Sequence, residues 1–184
     1  MIRIIAGKHK KRKLHAVPGR STRPTTDFNR EMIFSTYQEY AEKRVLDLYA
    51  GTGAFGLEAI SRGAAWVDFV EFAAPAIATL ISNIELLGCQ DQCHVYRKKV
   101  YSFIKSANQI YDVIFLDPPY DKNLINPTLQ ILFESRIMAD DAVIVAEHSR
   151  KEKIDPIFDK HIFKEKEGHI CSITWLSANP VIQS

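Results

Sequence analysis

The sequence predicts an α/β fold: a mostly parallel, doubly wound sheet of seven strands closed by a C-terminal antiparallel hairpin. Three observations carry this. From residue 44 onward, near-continuous apolar runs alternate with helical patterns, as buried parallel strands require. Glycines follow the first such strand closely, at 51, 53 and 56. The tail, HIFKEKEGHICSITWL, changes to two strands around Glu167-Gly168.

Taken in order, Ile2–Ala6 read as a short strand, Gly7 as a turn and 8–17 as a basic return strand broken by Pro18-Gly19. The loop RSTRPTTD leads to Thr26 or Asp27 as a helix cap, with Phe28, Met32, Ile33, Tyr37 and Tyr40 on roughly one face. RVLDLYA (44–50) is a buried strand, GTGAFG a turn, and LEAISRG a helix closed by Gly63. AWVDFVEF is the second strand, and a helix from Pro75 to Leu87 closes at Gly88. A weak strand at 93–96, a helix at 101–107, the strongly apolar strand 111–117, a helix at 126–133 and a strand at 142–148 complete five βα-type units. Residues 26–184 thus form one domain, and 1–25 an appended basic hairpin without apolar residues for a core of its own.

Composition narrows the class. The chain has 184 residues, 46% hydrophobic and 25% charged, the balance of a globular domain rather than a disordered or fibrous one. Three cysteines are too few for a disulfide framework and point to a reducing cytoplasm. No apolar run reaches the length of a membrane span, and the N-terminus lacks the order of a signal peptide. The formal net charge of +2 hides an asymmetry: residues 1–30 carry nine Lys/Arg against Asp27 alone, a net +8, which leaves −6 on the remainder. Lys8, Lys10, Lys11, Arg12 and Lys13 crowd into six residues. Such an end suits a polyanion, with a merely solvated hairpin as the alternative.

Two motifs carry chemistry. Gly51-x-Gly53-x-x-Gly56 matches the dinucleotide fingerprint, and Glu71 ends the next strand about 20 residues on, where it can accept from ribose hydroxyls. A nicotinamide enzyme is therefore one reading, and a tight turn without ligand another. Asp47, inside the strand, would oppose a pyrophosphate but suits a cationic amino-acid moiety. The second motif, Asp117-Pro118-Pro119-Tyr120, follows the most apolar strand. Its prolines turn carbonyls away from the ladder. The Asp117 carboxylate and Pro118 carbonyl can accept both hydrogens of an exocyclic base amine, directing its lone pair at an electrophilic methyl. Tyr120 offers a ring on which a flipped base can stack.

The remaining signals are weaker. Cys89-x-x-x-Cys93-His94 lacks the second pair a zinc site needs, so no metal is expected. No histidine pairs with a nucleophile in a G-x-S-x-G context, and His148 reads as a satisfied strand residue. Trp66 and Trp175 read as packing residues.

Taken together, Arg3-Ile4-Ile5-Ala6-Gly7-Lys8, Arg12-Lys13-Leu14, Arg23-Pro24-Thr25-Thr26-Asp27, Arg30-Glu31, the run Val45 to Gly63, Glu71 and Asp117 to Tyr120 resemble the RsmD family. Its members are bacterial 16S rRNA (guanine-N2)-methyltransferases with a Rossmann-like S-adenosylmethionine fold. The resemblance covers almost the whole chain and is weakest after about residue 150. It implies S-adenosylmethionine as cofactor, held around Asp47, Gly51, Thr52, Gly53, Glu71, Lys99 and Arg30. It implies Asp117, Pro118 and Tyr120 as the catalytic group, with Arg23, Thr25, Thr26 and Arg30 at its mouth. The partner is then 16S rRNA or the small ribosomal subunit, met by Lys8, Lys10, Lys11, Arg12, Lys13 and Arg23 of a cytoplasmic monomer. The chain departs from the family at Phe28-Asn29, where a basic and then an apolar residue is usual. It departs again at Arg97-Lys98-Lys99, where an Asp or Asn often meets the adenine; here the backbone must do so. An adenine-N6 DNA methyltransferase and a non-catalytic rRNA-binding factor are the other readings.

Overall fold

The computed structural model describes residues 2–18, 27–120, 122–168 and 171–181. Seven strands form one sheet: β3 (Arg44–Leu48), β4 (Trp66–Glu71), β5 (Cys93–Arg97), β6 (Tyr111–Leu116), β7 (Met138–Ser149), β8 (Ile162–Glu167) and β9 (Cys171–Ser177). Their order is β5-β4-β3-β6-β7-β9-β8. The first five are parallel, and β9 pairs antiparallel with both β7 and β8. This is the expected mixed sheet, with its strand order reversing direction between β3 and β6. In open α/β sheets that reversal leaves a crevice at the carboxyl ends of the strands.

Side chains alternate across the sheet because successive Cβ atoms point to opposite faces. Val45, Phe69, Phe115, Val145 and Trp175 face one layer, packed against α1 (Asp27–Thr36), α2 (Ala54–Ser61) and α3 (Ala74–Leu87). Leu46, Leu48, Ile114, Ile144 and Leu176 face the other, covered by α4 (Val100–Ser106) and α5 (Ile125–Glu134). Both faces of the central strands β3, β4 and β6 are buried, which accounts for their largely apolar sequences; the edge strand β5 is mostly not.

Helix α1 is shorter than its pattern suggests. It stops at Thr36, so Tyr37 and Tyr40 follow it rather than lie on it; Tyr40 is nonetheless fully buried, its ring 5.0 Å from that of Phe34. Phe28 does not share the apolar face and is exposed. Arg30, Ile33 and Phe34 define the inward side instead.

The N-terminal hairpin is also reduced. Only Ile2–Arg3 (β1) and Lys13–Leu14 (β2) pair, with Ile2 opposite Leu14. Residues 7–12 are turns, so their charges do not alternate along a strand. The hairpin lies against α2 rather than standing free. The Ile5 and Ala6 N–H groups donate to the two carboxylate oxygens of buried Glu58, at 2.7 and 2.9 Å. The Lys8 N–H donates to the Ser61 carbonyl at 2.8 Å. Gly7, at φ +78, sits so close to Ser61 that a Cβ would overlap its carbonyl oxygen. Ile4 and Leu14 then enter the same apolar layer as α1 and α2.

Candidate active site

Strand register aligns the site. Leu48 pairs with Val70 on one side and Leu116 on the other, and Leu116 pairs with Ala146. The residues at or beyond these positions, Tyr49, Glu71, Asp117 and Glu147, therefore gather along one sheet edge at the crevice.

The glycine turn is held from three directions. Gly53 lies at φ +78 before α2 and packs so near Leu80 that a Cβ would clash with its side chain. Glu71 bridges the ends of β3 and β4: Oε2 accepts from the Gly51 N–H at 2.9 Å, while Oε1 accepts from Phe72 and Ala73 N–H at 2.7 and 2.8 Å. Asn83, fully buried on α3, donates from Nδ2 to the Thr52 carbonyl at 3.0 Å and to the His15 carbonyl at 3.2 Å, and Oδ1 accepts from the His15 N–H at 2.7 Å. One amide thus clips both the turn and the segment after β2.

Asp47 is buried beneath the turn, and Oδ2 accepts from the Gly56 N–H at 2.9 Å. Burial, with the nearby Glu71 charge adding to it and the Gly56 bond opposing, pushes its carboxyl up to about 8. Tyr49 precedes the turn at φ +59, a strained region for an aromatic residue, and its hydroxyl is 3.0 Å from Thr128 Oγ1 on α5.

Beyond β6, Asp117 is half-buried, Pro118 buried, Pro119 exposed and Tyr120 half-buried. The Tyr120 hydroxyl donates to Glu147 Oε1 at 2.8 Å. Burial first, then the charges of Glu147 and Asp117, raise the phenol pKa far above its ordinary value. Cys171 adjoins the same group; its Sγ accepts from Asn29 Nδ2 at 3.1 Å, and burial together with Glu147 pushes the thiol up to about 11.

The expected residues distribute as follows. Asp47, Gly51, Thr52, Gly53 and Glu71 converge on the crevice, as do Asp117, Pro118 and Tyr120. Lys99 is exposed at the start of α4, its Nζ 5.7 Å from the centroid of the Phe72 ring. Arg30 is 1% exposed, and its Nη2 donates to the Arg3 carbonyl at 2.5 Å, joining α1 to β1. Lys8, Lys10, Lys11, Arg12 and Lys13 are all exposed on the hairpin; Lys8 Nζ donates to Gln92 Oε1 at 2.6 Å. Arg23, Thr25 and Thr26 lie outside the described residues. Among the described residues no three His, Cys, Asp or Glu side chains form a metal-holding group, and Cys89 and Cys93 are free and buried. His148 is buried, with Nδ1 2.8 Å from the Glu152 carbonyl and Nε2 3.0 Å from Thr174 Oγ1.

Sequence reasoning missed Asn83, Tyr49, Glu147 and Phe72. Phe72 is 57% exposed directly after Glu71, a position at which an apolar residue with nothing to cover it was the available signal. The other three are legible only as polar or aromatic residues inside apolar elements.

Residues 2–175 match the family model described as Conserved hypothetical protein 95. The chain belongs to this family. Among its relatives, Ribosomal RNA small subunit methyltransferase D of Haemophilus influenzae is 33% identical over 175 residues, covering 93% of this chain and 91% of that protein. YlbH of Bacillus subtilis, which carries a provisional rRNA methyltransferase name, is 37% identical over 172 residues, covering 91% and 94%. The solved structure of the Escherichia coli protein yhhF, provisionally described as a methyltransferase, superposes with a TM-score of 0.86 at 29% identity, covering 96% of this chain and 97% of that one. Family and fold thus agree with the resemblance read from the motifs. Among the described residues no helix is long and apolar enough to cross a membrane.

Proposed function

We propose that the protein transfers a methyl group from S-adenosylmethionine to the exocyclic N2 amine of a guanine in small-subunit rRNA. The observation that carries this reading is the position of Asp117-Pro118-Pro119-Tyr120 at the switch-point crevice, beside the glycine turn bounded by Glu71. The relatives named rRNA small subunit methyltransferase D support the substrate class.

The residues present fit the cofactor. Glu71, half-buried at the end of β4, has about four lone-pair sites, so its three backbone bonds leave one for a ribose hydroxyl. The exposed Phe72 ring offers a face for the adenine, and the backbone around Lys98 and Lys99 can meet the adenine edge. Gly51 and Gly53 let the backbone approach, and Asp47, which keeps its proton in the cofactor-free protein, would be drawn to its ionised form by the cationic amino-acid end above it. The cofactor's contribution is an electrophilic methyl.

The chain's own work is positioning. Asp117 accepts one N–H of the amine and the Pro118 carbonyl the other, so the nitrogen lone pair is localised toward the methyl. Tyr120 supports the ring of the flipped base. Formation of the N–C bond would break the methyl's bond to sulfur and release S-adenosylhomocysteine, and Asp117 is placed to take the amine's surplus proton. Alignment of this kind supplies several kcal/mol of the barrier without strong acid–base chemistry. The proposed working form is a cytoplasmic monomer, and three free cysteines accord with a reducing compartment.

Asp117→Ala is expected to abolish transfer to small-subunit rRNA while calorimetry shows S-adenosylhomocysteine binding retained. Nucleoside mass spectrometry of the wild-type product should show N2-methylguanosine. Methylated adenosine instead, or undiminished turnover by the variant, overturns the reading.

A further inference from the structure

The first turn of α1 touches two separate functional regions. Asn29 Nδ2 donates to Cys171 Sγ at the start of β9. Cys171 pairs across the ladder with Ser149, two residues from Glu147, which holds the Tyr120 hydroxyl. One residue on, Arg30 Nη2 donates to the Arg3 carbonyl of β1. Arg3 pairs with Lys13 at the end of the basic turn. The same helical turn therefore abuts the base-binding tetrapeptide and the cationic hairpin.

Phe28 stands on this turn at 70% exposure, the most exposed large hydrophobic among the described residues. Packing does not use it: Ile33 and Phe34 face the core and Phe28 does not. An uncharged ring cannot serve as a phosphate contact. A strand of RNA that delivers one flipped base to Tyr120 and lays phosphates along Lys10 to Lys13 leaves neighbouring bases unstacked. Such bases gain most from an aromatic face, about 1–3 kcal/mol each.

We infer that Phe28 is a stacking platform for an unpaired RNA base flanking the target nucleotide. This rests on the rRNA reading of the site. The charge of the hairpin and the position of the turn select RNA as the occupant. Stacking supplies affinity that salt does not screen, alongside phosphate contacts that it does.

The test compares wild type, Phe28→Ala and Phe28→Trp on a small-subunit rRNA fragment, across a salt series. Phe28→Ala should weaken RNA binding about five- to a hundredfold, the equivalent of one lost stacked base. Its slope of log affinity against log salt should be unchanged, because no phosphate contact is lost. Phe28→Trp should restore affinity, and its added indole emission should be quenched on RNA binding. S-adenosylhomocysteine affinity should be the same in all three. Wild-type methylation with equal RNA affinity in Phe28→Ala overturns this inference while leaving the function intact. A wild type that neither binds nor methylates rRNA overturns both. Sedimentation showing that Phe28→Ala dissolves a dimer would assign the ring to self-association and also overturn it.

Discussion

The Tyr120 hydroxyl donates to Glu147 Oε1 across neighbouring strand ends at 2.8 Å, which fixes the ring from its far end. Glu147 is 4% exposed, so this acceptor has little access to water. With its pKa driven upward, the phenol remains a donor throughout the physiological range. Removing the hydroxyl in Tyr120→Phe should cost about 1–3 kcal/mol of stability, the penalty of a buried acceptor losing a partner. Tyr120→Phe keeps the ring and should retain more turnover than Tyr120→Ala. In urea titrations, Glu147→Gln combined with Tyr120→Phe should cost less than the two singles added, since they share one interaction. Strict additivity would mean the two side chains are energetically independent.

Asp47 gives the cofactor-free protein a pH-dependent stability. Its ordinary value of 3.8 holds in the unfolded chain, whereas the folded one keeps the proton up to about 8. Between those values the folded state binds more protons, so this contribution is fully present below about 4 and lost as pH rises to 8. Asp47→Asn cannot ionise and can still accept from the Gly56 N–H. Thermal melts from pH 5 to 8.5 should show wild type falling relative to the variant, and parallel curves would show that Asp47 ionises normally.

Glu71 has two duties that its substitutions separate. Glu71→Ala loses the acceptor for three backbone N–H groups and the proposed ribose contact. It should weaken S-adenosylhomocysteine binding by about 1–3 kcal/mol and also lower the melting temperature. Glu71→Gln keeps a carbonyl acceptor but no charge, so its stability should be nearer wild type while cofactor affinity still drops. Calorimetry showing unchanged affinity in both would remove Glu71 from the cofactor site.

What could be read in the sequence divides along physical lines. Strands β3, β6 and β7 were legible because burial on both faces leaves mostly apolar residues in their central stretches. The glycine turn and Asp117 to Tyr120 were legible because their residue types and place after a strand limit what the backbone can do. The return strand over 8–17 was overread: Gly7 at φ +78 and Lys11 at φ +70 fold the chain into turns, and two residues of pairing suffice. Phe28 was assigned to the apolar face of α1 by spacing alone, but the helix rolls to bury Arg30, which bonds the Arg3 carbonyl. The partners of Asn83 and Glu58 left no trace, since each satisfies backbone groups more than fifty residues away. No local period encodes such a bond.

The basic turn supplies the last prediction, altered by where the structure places its charges. Lys8, Lys10, Lys11, Arg12 and Lys13 are exposed around a tight turn, and the Lys8 ammonium is shared with Gln92. Four cations are then fully available to a backbone passing over the turn, and Lys8 less so. With roughly −0.7 per phosphate on single-stranded RNA, four contacts give a log–log salt slope of about −3. Replacing Lys10, Lys11, Arg12 and Lys13 by Gln should flatten the slope nearly completely, whereas Lys8→Gln should shift it by less than one contact. The hairpin itself should survive, because Glu58 and Ser61 hold it through backbone groups of Ile5, Ala6 and Lys8. S-adenosylhomocysteine affinity should accordingly match wild type. Salt titrations on an rRNA fragment decide the matter: equal slopes in wild type and the fourfold variant would mean that the RNA backbone is gripped elsewhere on the protein.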